Sequence, residues 1–137
     1  MKVLKLFMVV IVTFLSVQTL YAQNDSWKRI WFTDEIVTYI NVDYSEHQFI
    51  FKEEYSGNMR DVRAKAIDSA LKVYKAIRIV EFNQNFTSYK ILSATFYDGL
   101  DKVVKSFQEQ DASWNVVESQ KDKIEAREAK KLYDSEE

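Results

Sequence analysis

The stretch Glu46-His47-Gln48-Phe49-Ile50-Phe51-Lys52-Glu53-Glu54-Tyr55 alternates in character along its length. In an extended backbone, His47, Phe49, Phe51 and Tyr55 fall on one side with Glu53 among them. Glu46, Gln48, Lys52 and Glu54 fall on the other side with Ile50. Aromatic residues at every second position predict a half-buried strand whose inner face is aromatic.

Working outward toward the C-terminus, Ser56-Gly57-Asn58 interrupts this period and a different one follows. Val62, Ala66, Ala70 and Tyr74 recur at every fourth residue, with Ile67 and Leu71 beside them. That stripe predicts one amphipathic helix of about four turns, with Arg60, Arg63, Lys65, Asp68 and Lys72 on its solvated face. Asn58, with Asp61 three residues on, is the expected N-terminal cap. Residues 77–82 return to strand composition. Asn83-Gln84-Asn85 reads as a turn and residues 88–97 as the most strongly patterned strand. Tyr97-Asp98-Gly99-Leu100 predicts a tight type I′ hairpin, since Asp-Gly supplies two positive-φ positions. Residues 103–107 form its partner and Trp114-Asn115-Val116-Val117 a short last strand.

Toward the N-terminus, Trp27-Lys28-Arg29-Ile30-Trp31-Phe32 leads through the turn Thr33-Asp34-Glu35 to a β-branched and aromatic strand over residues 36–42. At the far end, a helix is expected over about residues 119–133. Lys121, Asp122, Lys123, Glu125, Arg127, Glu128, Lys130 and Lys131 leave only Ile124, Ala126, Ala129, Leu132 and Tyr133 apolar. This predicts a heavily solvated helix with a thin contact face, capped by Ser119 with Asp122 three residues on. The order of elements fits neither a parallel crossover series nor a helical bundle. It specifies an α+β class: an antiparallel β-sheet of about five to six strands, with one central amphipathic helix and a C-terminal helix packed on it.

Residues 1–22 read as a secretory signal peptide. Lys2 and Lys5 precede the apolar run from Leu6 to Leu15; a polar stretch and Leu20-Tyr21-Ala22 follow, placing the mature start near Gln23. The run loses its apolar character well short of the about 20 residues a bilayer span requires, so cleavage leaves no transmembrane anchor. Residues 23–137 are then a single mature domain, exported to the periplasm, the cell surface or the medium.

The chain has no cysteine. That excludes disulfides, cysteine zinc sites, thiol chemistry and a lipoprotein anchor, so the exported domain has to hold together by packing. Lys and Arg number 19 against 21 Asp and Glu. Removing Lys2 and Lys5 with the leader makes the mature domain more acidic still, which argues against a nucleic-acid partner or an anionic-lipid surface.

No residue is singled out as catalytic, cofactor-binding or metal-binding, and no cofactor is expected. His47 is the sole histidine, and its position beside Phe49 and Phe51 favours a packed or sheet-edge role. Glu53-Glu54 and Asp34-Glu35 point to opposite sides of an extended backbone, so neither is an acid/base pair. Gly57 and Gly99 are turn glycines outside any phosphate-binding motif. Asn85-Phe86-Thr87 has the form of a glycosylation acceptor, a three-residue pattern that by itself assigns no function. Tyr89, Phe96, Tyr97, Phe107 and Trp114 either present a ligand platform or pack in the sheet, and packing is the commoner use.

Several segments in order resemble the surface-adhesin protein E family of small exported bacterial proteins. They are Trp27; Tyr39-Ile40-Asn41 followed by Ser45; residues 49–55; residues 75–82; Tyr89-Lys90-Ile91-Leu92; Tyr97-Asp98-Gly99; Val103-Val104-Lys105-Ser106; and Trp114. The likeness runs from about Trp27 to the start of the tail helix and breaks near residues 59–74. It implies an exported antiparallel sheet with a flanking helix, dimeric in some members, and an adhesin-like function. The family's cysteine pair is absent, with Gln84 near one expected position and the segment around Leu132 near the other, so the C-terminal helix is expected to dock by packing alone. None of the matched residues is a binding determinant of that family.

The functional expectation is an exported, non-enzymatic binding or interaction domain of the surface-adhesin kind, with a protein partner and no nucleic acid. The alternative is a periplasmic structural or accessory protein that self-associates, for instance as a homodimer, with no foreign ligand.

Overall fold

The alternation of Phe49, Phe51 and Tyr55 is realised in the third strand of an antiparallel sheet. The structure, a computed structural model, describes residues 26–109 and 111–136; the expected leader and the cut before Gln23 lie outside the described residues. The elements are β1 (Trp27–Phe32), β2 (Ile36–Asn41), β3 (Gln48–Tyr55), α1 (Met59–Ala66), β4 (Lys75–Phe82), β5 (Ser88–Tyr97), β6 (Val103–Gln108), β7 (Asn115–Val116) and α2 (Gln120–Ser135). Strands β1 to β6 lie side by side in chain order, and β7 pairs with β5 beyond the end of β6, giving seven strands in all. This is the α+β class expected, with every strand antiparallel to its neighbour.

Both helices cover the face that carries Phe49, Phe51 and Tyr55. Ala126 and Ala129 of α2 pack into one core with Ile40, Phe49, Phe51, Val80 and Phe82. Ala64 of α1 packs into a second with Tyr55, Val73 and Ala76. The opposite face bears a smaller cluster of Ile50, Ile77, Ile79 and Tyr97, flanked by Trp27 and Leu92. Small alanines on the helices let their backbones approach a sheet whose bulk comes from its own aromatic rings.

The central helix is shorter than the four turns its stripe predicts. It ends at Ala66, and Asp68 takes a left-handed φ of 55°. The Ser69 hydroxyl accepts from the Leu71 amide at 3.0 Å and donates to the Leu71 carbonyl at 2.8 Å, a local turn that competes with helix. The turn drops Val73 into the core with no exposed surface, while Val62 and Leu71 of the predicted stripe face outward. The cap is also different. Asn58 makes no side-chain capping bond; the Met59 amide donates instead to Glu35 Oε2, 3.2 Å away, from the β1–β2 turn.

The Asp98-Gly99 turn is not the two-residue type I′ loop. The loop runs from Asp98 to Lys102, with Asp98 Oδ1 accepting from the amides of Leu100 and Lys102, and the positive φ falls on Asp101. Gly99 serves a different need: a Cβ there would sit 3.1 Å from the Tyr74 ring.

The C-terminal helix keeps its predicted cap. Ser119 Oγ accepts from the Asp122 amide and the Asp122 carboxylate returns to the Ser119 amide, a complete capping box. Two of its charges, Glu125 and Glu128, are buried rather than solvated, and this changes how the helix docks. Among the described residues no helix is long and apolar enough to cross a membrane.

Candidate binding cleft

At one end of the sheet the chain enters β3 through a tight turn. Ser45 and Gln48 exchange both backbone hydrogen bonds, at 3.0 and 2.8 Å, and Glu46 between them adopts φ 54°. The strand therefore begins at Gln48, and His47 sits in the turn rather than on the alternating strand. The His47 carbonyl accepts from the Phe82 amide at 2.9 Å, which fastens the turn to the end of β4. Its imidazole lies 5.1 Å from the Phe86 ring and 4.6 Å from the Tyr133 ring. This is the packed histidine that its position beside Phe49 suggests.

Beside that turn is an open cleft of about 720 Å³. Among the described residues it is lined by Ser45, Glu46, His47 and Gln48 of this turn, by Glu81, Phe82, Asn83 and Gln84 at the end of β4, and by Trp114 and Tyr133. The Asn83 side chain is committed to its own turn, donating to Thr87 Oγ1 and accepting from the amides of Thr87 and Ser88. It fixes the turn that follows β4. Trp114 is about half exposed, and the Lys90 ammonium lies over its ring at 4.3 Å. Ser45 is only 1 % exposed, yet among the described residues its Oγ has no hydrogen-bond partner; nor has His47 Nδ1. Buried polar atoms are almost always paired, so this turn carries two exceptions, both atoms buried beneath the cleft's lining rather than open to it.

Tyr133 reaches the cleft because α2 is held by charge as well as by packing, which corrects the expectation of packing alone. Arg78 of β4 bonds Glu125 of α2 at 2.8 Å and lies 3.7 Å from Glu53 of β3. Lys121 bonds Glu53 and lies 3.6 Å from Glu125, and the Tyr55 hydroxyl donates to Glu53 at 2.6 Å. Burial works against the Arg78 charge, but the Glu125 carboxylate outweighs it and holds the guanidinium pKa above its ordinary value. Further along α2, Glu128 accepts from Lys28 of β1 at 2.9 Å and from Lys131 at 3.2 Å. Partial burial would raise its pKa; the two ammonium groups prevail and lower it.

The adjacent carboxylates Glu53 and Glu54 do point to opposite faces, Glu53 buried and Glu54 exposed. Of the aromatic series read as platform or packing, Tyr97 is buried, whereas Phe107 and Trp114 are exposed. Among the described residues no group of three or more His, Asp or Glu is arranged to hold a metal ion. Sequence reading missed Ser45, Glu46, Gln48, Glu81, Gln84 and Tyr133 as neighbours. Their one visible trait was polar turn composition at Glu46 and Gln84; nothing local brings Tyr133 from the tail to a turn near the start. Compared with protein-family models, curated proteins and solved structures, the chain matches none of them.

Proposed function

We propose that this protein is an exported, non-enzymatic binding domain of the cell envelope or surface, and that the cleft beside Ser45–Gln48 is where it binds. The observation that carries the reading is the cleft itself, lined by the aromatic side chains of Phe82, Trp114 and Tyr133 and by polar residues of two turns. Export is supported by the leader pattern of residues 1–22. Kinship with the surface-adhesin protein E family is part of the same proposal and is supported by the ordered segments quoted above.

Affinity capture of the tagged protein from its native envelope tests this reading, with the N-terminus sequenced on the recovered species. A start near Gln23 and a co-purifying component are expected. An intact Met1 terminus with nothing retained would remove both the export and the binding parts.

The second reading, a self-associating accessory protein, is favoured by the β6 edge. Among the described residues that strand pairs only with β5, and Val103 and Phe107 on it are exposed. Unpaired apolar edges are templates for another strand. Sedimentation at several concentrations separates the two: a tight homodimer that captures nothing else supports the second.

A further inference from the structure

We infer that a second surface of this protein, at the free edge of β1, binds an extended acidic peptide of a protein partner. Three cations meet on one carboxylate there. Glu128 is buried, and Lys28 of β1, Lys131 and Arg127 of α2 lie 2.9, 3.2 and 3.4 Å from it. One cation is enough to neutralise one carboxylate. The other two leave a local excess of positive charge, and all three side chains are more than half exposed. In a chain whose acids outnumber its bases, this concentration attracts a negatively charged partner to one place on the surface. None of the three residues is among those that line the cleft.

The neighbouring backbone decides the class of anion. Among the described residues β1 pairs only with β2, so it forms an edge of the sheet. The Val42 amide donates to the Ser26 carbonyl at 2.8 Å. In that register Ser26 and Lys28 turn their backbone groups toward β2, and Trp27 and Arg29 turn theirs outward. An antiparallel strand added here bonds Trp27 and Arg29 and sets one residue opposite Lys28, its side chain on the face that α2 covers. Side chains on that face of the added strand recur every 6–7 Å or so. Arg127 and Lys131 are about 6 Å apart along their helix. Carboxylates at every second position therefore meet the cations while the main chain extends the ladder. A polysaccharide, a lipid headgroup or a nucleic acid brings the negative charge but no peptide groups for Trp27 and Arg29. The bulge between Arg29 and Trp31 ends the usable edge, and the charges of Lys28 and Arg29 turn away apolar strands.

The probe is a ten-residue peptide of alternating Glu and Thr, titrated by fluorescence anisotropy against the full chain at low salt. Binding is expected, with the peptide carrying Gln for Glu weaker by about tenfold or more. Arg127→Gln and Lys131→Gln leave Glu128 its Lys28 partner, so the fold is kept. Each is expected to weaken the peptide by about three- to tenfold. Lys102→Gln removes the same charge from an exposed loop before β6, at the far edge of the sheet. It is expected to change affinity by less than about twofold. N-methylation separates an added strand from a merely charged ligand. Blocking the Thr amides, which face β1, is expected to abolish binding, and blocking the Glu amides to be tolerated.

No binding to wild type, an equal loss in Lys102→Gln, or equal tolerance of the two methylated peptides would overturn the assignment. Heparin decasaccharide or phosphatidylglycerol vesicles bound more tightly than the peptide, with the same dependence on Arg127 and Lys131, would overturn it in favour of a bare anion. No cleft residue is altered in these variants, so failure here leaves the cleft reading standing.

Discussion

Arg78 of β4 and Glu125 of α2 meet at 2.8 Å beneath the C-terminal helix, with Glu53 of β3 3.7 Å from the same guanidinium nitrogen, Nη2. Both carboxylates are buried, so one cation from the middle of the sheet answers two anions from different elements. Arg78 also lies over the Phe51 ring at 5.3 Å, which joins the polar lock to the aromatic core. In a chain without cysteine, this is how the tail helix is tied to the sheet.

Removing that cation should therefore cost far more than a surface ion pair. Arg78→Met keeps the aliphatic stem but leaves Glu53 and Glu125 facing one another with Lys121 as their only strong counter-charge. A loss of about 3–5 kcal/mol is expected in urea denaturation. Lys130→Ala, which breaks an exposed pair with Asp134, should change stability by less than about 0.5 kcal/mol. Equal effects for the two variants would mean that the buried network contributes nothing special.

The start of α1 offers a sharper test, because sequence and structure disagree there. The Met59 amide donates to Glu35, and the Asn58 side chain caps nothing. Glu35→Ala is expected to destabilise by about 1 kcal/mol, in the range of a lost cap, and Asn58→Ala by only a few tenths. The reverse order in thermal denaturation would restore Asn58 as the cap.

How far the sequence was legible follows from such cases. Period two in residues 48–55 fixes a strand and its inner face with no outside information, and the Ser119–Asp122 box is equally local. Alternation also places Glu53 inward, though not with whom it pairs. Arg78 and Glu125 are 47 residues apart, and nothing in either neighbourhood names the other. Helix α1 fails for a related reason: its stripe is real, but Ser69 and Asp68 close a turn that lets Val73 reach the core, and burying valine outweighs one more helical turn. The cleft was the least legible feature, since it is assembled from a turn, two strand ends, a loop and the tail.

Gly99 is a position where size, not backbone freedom, decides. Its φ is not positive, but a Cβ would come within 3.1–3.3 Å of three atoms of the Tyr74 ring. That ring is held from elsewhere by the Arg60 guanidinium, 4.1 Å from its centroid. Gly99→Ala should thus cost about 1 kcal/mol or more by overpacking. Combining it with Tyr74→Leu should recover part of that loss. Additive effects in the double variant would show that the contact is not the cause.

The Lys28–Glu128 pair predicts how stability falls in acid. In the folded chain burial acts to raise the Glu128 pKa, but the ammonium groups of Lys28 and Lys131 prevail and hold it below the ordinary carboxylate value. A depressed carboxylate pKa means the unfolded chain binds the proton more readily, so the pair's contribution is full above the ordinary value and is lost as pH falls through the folded value. Lys28→Met removes the 2.9 Å partner and should bring the folded pKa back up, taking away stability at neutral pH and flattening the acid slope below about 4.5. Melting temperatures of wild type and variant should accordingly converge as pH drops toward 3 or so. Curves that stay parallel through that window would show that Glu128 draws its stabilisation from Lys131 or from packing, and that β1 and α2 are not joined by this charge pair.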